Sequence, residues 1–274
     1  MRTHRLHRAT GTQGLFSALG IAFAIVASSP ACAQGPEGPR VPPEASETAA
    51  HPQWSIDIAP YFWAAGMSGT VASFGAAPVD VDMDFSDIFG DLDFSIMAAG
   101  EARYGRFSLT MDLLYLKLST SETTPRGILL SSVGLDSTMT EVSALAGYSV
   151  LDLPNARVDA VLGARLWSVD NALSFNGGLL GGRTFKDSAT WVDAMGGLKG
   201  RVDLSDRFYL TGTALAGGGG SNFGWDLMGG LGYQVTDRFS AVAGYRAMGV
   251  DYQDGPFEFD VTIKGPIIGA SFKF

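Results

Sequence analysis

Acidic and basic side chains recur along this chain at spacings of two, which restricts the chemistry they can do. Asp57, Asp93, Glu101, Arg103, Asp112, Glu141, Arg157, Asp159, Arg165, Asp193, Lys199, Arg201, Asp226 and Arg246 share one alternating parity within their segments. On a β-strand such residues project from a single face. Acids and bases in the set are nearly balanced, so their simplest joint chemistry is mutual neutralisation in an enclosed wet space. A narrow conduction path or a small ligand site is the functional alternative.

A second group, the acidic run Asp80, Asp82, Asp84, Asp87, Asp91 and Asp93, could offer oxygen ligands to a hard cation. A calcium loop of the EF-hand type would place Gly at its sixth position, where Phe85 stands, and would end in a bidentate Glu, which is missing. Val79, Val81, Met83 and Phe85 alternate with the aspartates, so the run reads as a strand with one solvated face, and Asp80, Asp82 and Asp84 are metal candidates only. Ser86 to Leu92 reads as a short helical turn.

Nucleophilic and general-base chemistry has little to draw on. The histidines are His4, His7 and His51, all ahead of the patterned region, whereas most hydrolytic and acyl-transfer mechanisms need an imidazole base. Neither an enzymatic activity nor a cofactor is expected.

The elements that position the charged parity follow from the apolar residues between them. Val158, Ala160, Leu162, Ala164 and Leu166 interleave with Arg157, Asp159 and Arg165; Val192, Ala194, Gly196, Leu198, Gly200 and Val202 interleave with Asp193, Lys199 and Arg201. A soluble sandwich would turn the apolar face inward, and a membrane barrel would turn it outward to lipid. Periodicity alone does not choose between them.

The N-terminus and C-terminus do. Arg2, Arg5 and Arg8, then apolar Leu15 to Ala27, then Ala31-Cys32-Ala33 before Gln34 make a secretory signal with cleavage expected after Ala33. The apolar run is too short to span a bilayer. A lipoprotein box at Cys32 would want leucine where Ser29-Pro30-Ala31 stands. Processing would remove the only cysteine and three arginines, moving the formal charge from −9 to about −12, which argues against nucleic acid as a partner. The expected organisation is signal peptide 1–33, a Pro/Glu/Ala-rich flexible lead-in 34–53, and one domain over 54–274.

Tight turns are expected at Tyr104-Gly105-Arg106, Pro154-Asn155, Asp203 to Arg207 and Thr236-Asp237-Arg238. They divide the domain into about ten strands, with eight or twelve as alternatives. The fold class is all-β, a closed antiparallel transmembrane β-barrel. Ile268, Ala270, Phe272 and Phe274 share a parity ending in an aromatic, whereas Phe259, Val261 and Ile263 hold the other, so a bulge is expected at Gly265-Pro266. Trp54, Phe62, Trp63, Tyr104, Phe107, Tyr115, Tyr148, Phe208, Tyr233, Phe239 and Phe272 would form interfacial girdles. Trp63 and Trp167 are the candidates for a stacking role.

The final strand resembles the C-terminal signature that barrel-assembly machinery recognises in the bacterial outer membrane. The stretches Ala59-Pro60-Tyr61-Phe62-Trp63, Phe85-Ser86-Asp87-Ile88, Leu92-Asp93-Phe94, Glu101-Ala102-Arg103 and Asp112-Leu113-Leu114-Tyr115-Leu116 are similar to small outer-membrane barrels grouped with the membrane domain of OmpA and with OmpW. That resemblance implies outer-membrane localisation, partners in membrane lipid, lipopolysaccharide and the assembly machinery, and no catalytic residues. No peptidoglycan-binding domain is expected. The expected role is structural or interactive, with a mostly plugged lumen; the alternative is a narrow pore for small solutes. Neither oligomeric state nor ligand follows from the sequence.

Overall fold

A computed structural model describes residues 54–123, 132–177 and 181–274; the expected signal peptide and lead-in lie outside the described residues. In chain order the elements are β1 (Trp54–Trp63), β2 (Gly66–Ala72), β3 (Val79–Met83), α1 (Phe85–Gly90), β4 (Leu92–Tyr104), β5 (Phe107–Thr123), β6 (Ser132–Leu153), β7 (Ala156–Asn176), β8 (Arg183–Asp203), β9 (Phe208–Gly219), β10 (Phe223–Thr236), β11 (Phe239–Asp254) and β12 (Phe257–Lys273). Ten of the strands, β1 and β4 to β12, pair antiparallel in sequence order, and β1 closes the ring against β12. Closure removes the sheet edges that a lipid environment would leave unsatisfied.

The two extra strands extend one wall. Trp63 pairs with Ile267 and Gly66 with Lys264, so β1 and β2 run as one interrupted strand along β12. On its other side β1 follows β4 only up to Pro60 opposite Ala98, and β2 then turns to pair with β3. The β2–β3 turn carries Phe74 at φ 60° and Gly75 at φ 67°, a left-handed conformation that costs a non-glycine residue about 1–2 kcal/mol.

Along β7 and β8 each face meets two different solvents in succession. The outward residues of β7 are Val158, Ala160, Leu162, Ala164 and Leu166, and then Ser168 and Asp170; its inward residues are Arg157, Asp159 and Arg165, and then buried Trp167 and Val169. On β8 the outward row changes from Val192 to Thr190 and Ser188, while Trp191 and Ala189 are buried. The apolar stretch on β7 matches the roughly nine residues that a tilted strand needs to cross hydrocarbon. Beyond it the outer solvent is water, so the apolar side moves inside.

This change of solvent accounts for the parity shift on β12, and the expected bulge at Gly265-Pro266 is not there. The β11–β12 ladder runs through Tyr245 opposite Pro266 and Arg246 opposite Gly265 without a register shift. Phe259, Val261 and Ile263 point inward beyond the outward apolar band, while Ile268 and Phe272 point outward within it. The backbone keeps step, and only the surroundings exchange.

At the short-turn end the outward face carries a girdle of cross-strand aromatic pairs. Ring centroids lie 5.2 Å apart for Trp54 and Tyr104, 5.3 Å for Phe107 and Tyr148, 5.0 Å for Phe208 and Tyr233, and 5.2 Å for Phe239 and Phe272. Ile268 and Phe272 are exposed on the outer face, and Ala270 shares their parity, while the Phe274 N–H donates to the Ile56 carbonyl at 2.8 Å. Trp63 is not a girdle residue: it is buried, and its indole Nε1 donates to the Gly265 carbonyl at 3.2 Å.

Candidate functional site in the barrel lumen

Alternation along the strands puts the charged parity inside, and the barrel's curvature then brings distant strands together. The upper layer crosses the lumen. Arg165 on β7 reaches Glu141 on β6 at 2.8 Å and Asp226 on β10 at 2.7 Å. Arg246 on β11 grips the same Asp226 through Nη2 at 2.8 Å and Nε at 3.2 Å, and approaches Asp112 on β5 at 3.4 Å. The Tyr61 hydroxyl on β1 accepts from Arg246 at 2.9 Å and donates to Asp112 at 2.8 Å.

Support for this layer comes from neutral neighbours. Ser143 donates to Glu141 and accepts from Arg165 Nε at 2.9 Å. Trp63 presents its ring 5.3 Å from the Arg246 guanidinium, a favourable cation–π relation. Glu141 is fully buried and its Oε2 has no partner among the described residues. Charges this deep persist only when paired and hydrogen-bonded, and removing one partner typically costs about 3–5 kcal/mol.

A lower layer sits nearer the short turns. Arg103 on β4 binds Glu101 at 2.8 Å, Ser149 at 3.1 Å and Asp159 on β7. Lys199 on β8 pairs with Glu101 and lies 3.3 Å from Thr110. Asp57 lines the space beside them. Arg157 and Arg201 lie at the rim, bonded to Asp152 at 3.2 Å and Asp203 at 2.9 Å.

Two of the anticipated charges take no part in these layers' ion pairs. Asp193 is buried on β8 but pairs with no cation among the described residues; it accepts the Ser221 N–H at 2.7 Å. Asp93 is not in the lumen: a register shift at the start of β4 leaves it exposed, 3.4 Å from Lys117 and 2.6 Å from Ser119. The rest of the acidic run divides between β3 and the two ends of α1, with Asp84 and Asp87 at its start and Asp91 at its C-cap. Asp80 accepts from Thr70 at 3.0 Å, and the Asp84 N–H donates to Asp87 at 3.0 Å. Among the described residues no three acidic, histidine or cysteine side chains gather as a metal site.

Above the upper layer the interior is apolar. Trp63, Met97, Leu114, Trp167, Trp191, Met248, Tyr252, Phe259 and Val261 form one buried cluster. Trp191 stacks on Tyr252 at 4.0 Å and lies 6.0 Å from Trp167, so the Trp167 ring is covered rather than offered to a ligand. The tip of the β2–β3 hairpin reaches β8, where the Asp187 carboxylate accepts from the Ser73 hydroxyl at 2.9 Å and the Phe74 N–H at 2.5 Å. Below the upper layer a cavity of about 650 Å³ extends to the short-turn end, where Asp203, Asp237, Arg238 and Lys273 line it.

Sequence reasoning missed Tyr61, Ser143 and Ser149 as partners of the charges, and missed the inward aromatic cluster. The signal for the cluster was present: Trp167 and Val169 continue the parity of Arg165, and Trp191 that of Asp193. Their meaning depended on where the membrane ends.

With this geometry in hand, the class is clear. No family model and no curated protein matches the sequence. Among solved structures the chain is similar to the outer membrane protease OmpT from Escherichia coli, at 12% identity and a TM-score of 0.52, covering 84% of this chain and all of that one. Ail, the attachment invasion locus protein of Yersinia pestis, matches at 14% identity and TM-score 0.34, over 81% of this chain and 98% of that chain. Neisserial surface protein A matches at 15% identity and TM-score 0.33, over 81% and 97% respectively. The chain has the fold of a Gram-negative outer-membrane β-barrel. The narrower resemblance to the OmpA and OmpW groups has no matching family behind it.

Proposed function

We propose that this barrel has a structural or interactive role in the outer membrane, and that its lumen does not conduct. One observation carries the reading: two closures lie in series across the lumen. The Arg165–Asp226–Arg246 layer braces one wall against the other, and the apolar cluster fills the interior above it. Ten-stranded barrels lie nearer the side-chain-filled eight-stranded size than the water-filled sixteen-stranded one, which favours the same conclusion.

No histidine occurs among the described residues, which supports a non-enzymatic barrel although OmpT is a protease. Export by the signal at 1–33, insertion by the assembly machinery through Ile268, Ala270, Phe272 and Phe274, and contact of the projecting strands with lipopolysaccharide belong to the same proposal. Planar-bilayer recording of the purified barrel tests it. Silence at high protein load is expected, and reproducible salt-dependent unit currents would overturn the closed-lumen reading.

A further inference from the structure

Arg157 on β7 and Arg201 on β8 are direct cross-strand partners at the short-turn mouth of the cavity. Like charges in that relation repel. Each donates its Nε to a nearby carboxylate, Asp152 at 3.2 Å and Asp203 at 2.9 Å. Among the described residues neither makes a further hydrogen bond or ion pair, so two adjacent guanidiniums keep their terminal nitrogens free beside the cavity.

Arg201 is also held in place. Its guanidinium lies 3.6 Å above the Tyr209 ring. Tyr209 is buried, shares a hydrogen bond with Ser240 at 2.8 Å, and lies flat against Gly232, where a Cβ would run into the ring. A stacked, pre-oriented guanidinium loses little freedom when its outer edge binds an oxyanion through parallel N–H groups. Cavities of a few hundred cubic ångströms suit small molecules, and this one holds about 650 Å³.

We propose that Arg157 and Arg201 form a binding site for an oxyanion, the phosphate or carboxylate of a small water-soluble molecule entering from the short-turn end. The direction of entry rests on the closed-lumen reading, since the route from the other end passes the buried layer and the apolar cluster.

Calorimetric titration of the folded barrel in uncharged detergent, with inorganic phosphate and separately with acetate, tests the site. At least one of the two anions should bind saturably. Arg157→Gln and Arg201→Gln should each weaken binding by roughly tenfold, the loss of one charge-assisted contact. Tyr209→Leu should also weaken it, because Arg201 keeps its charge but loses the ring that orients it. Arg106→Gln should leave it unchanged, because Arg106 lies over Tyr148 on the outer face.

No saturable binding of either anion, affinity unchanged from the unsubstituted barrel in both glutamine variants, or an equal loss in Arg106→Gln would each overturn the proposal. Heat-modifiable migration on gels verifies that each variant is folded, and Arg157→Gln decides the matter should Arg201→Gln fail to fold. Bilayers that stay silent while neither anion binds would remove this site and leave the closed lumen standing. Unit currents would remove the closed lumen instead.

Discussion

Arg165 and Asp226 meet at 2.7 Å although they lie on strands three places apart in the ring. A guanidinium from β7 can reach a carboxylate on β10 only because the barrel is narrow, so the contact spans the lumen instead of decorating one wall. Both side chains are buried. Replacing Arg165 by Ala should leave Glu141 and Asp226 short of a partner and destabilise the barrel by about 3–5 kcal/mol. Equilibrium urea unfolding in detergent measures this; a loss below 1 kcal/mol would mean that the layer does not brace the barrel.

The exchange of solvents along β7 predicts a sharp boundary. Single cysteines at Ser168 and Asp170 in membrane-embedded barrel should react quickly with a water-soluble maleimide, and one at Leu162 should not. Leu162→Arg should cost about 2–4 kcal/mol, the range for a cation facing mid-bilayer lipid. Rapid labelling at Leu162→Cys would contradict the outward, lipid-facing assignment.

Asp187 fastens the β2–β3 hairpin across the mouth through Ser73 and Phe74. Asp187→Ala should leave the Phe74 amide without its acceptor, at a cost of about 1–3 kcal/mol. Hydrogen exchange should then quicken over residues 66–83 while the β7–β8 ladder keeps its protection. Unchanged exchange in the hairpin would show that the bond does no fastening.

Phe272 packs on Phe239 at the girdle and belongs to the strand that closes the ring. Phe272→Ala should lose that pair, worth about 0.5–1.5 kcal/mol beyond burial, and should slow assembly into lipid vesicles in the presence of the assembly machinery. Equal folding yields and rates for both forms would separate the C-terminal row from assembly.

Much of the architecture can be read locally. Alternation between residues two apart is a property of the strand itself, so Arg157, Asp159 and Arg165 fall on one face of β7 whatever surrounds it. The turns at Gly105 and Thr236 to Arg238 are equally local, because backbone conformation there depends on a few neighbouring residues. For that reason the ten wall strands follow from the residue order, and the sites of chain reversal with them.

Partnership between charges is not a local property. Arg246 could have paired with any carboxylate at its depth, and only closure of β1 on β12 sets Tyr61 and Asp112 beside it. The parity change on β12 looked like a bulge because a strand's sequence does not record where hydrocarbon gives way to water. The order of residues determined which faces exist and which side chains share them. Ring closure and the membrane boundary decided what each face meets, because both depend on contacts between segments far apart in the chain.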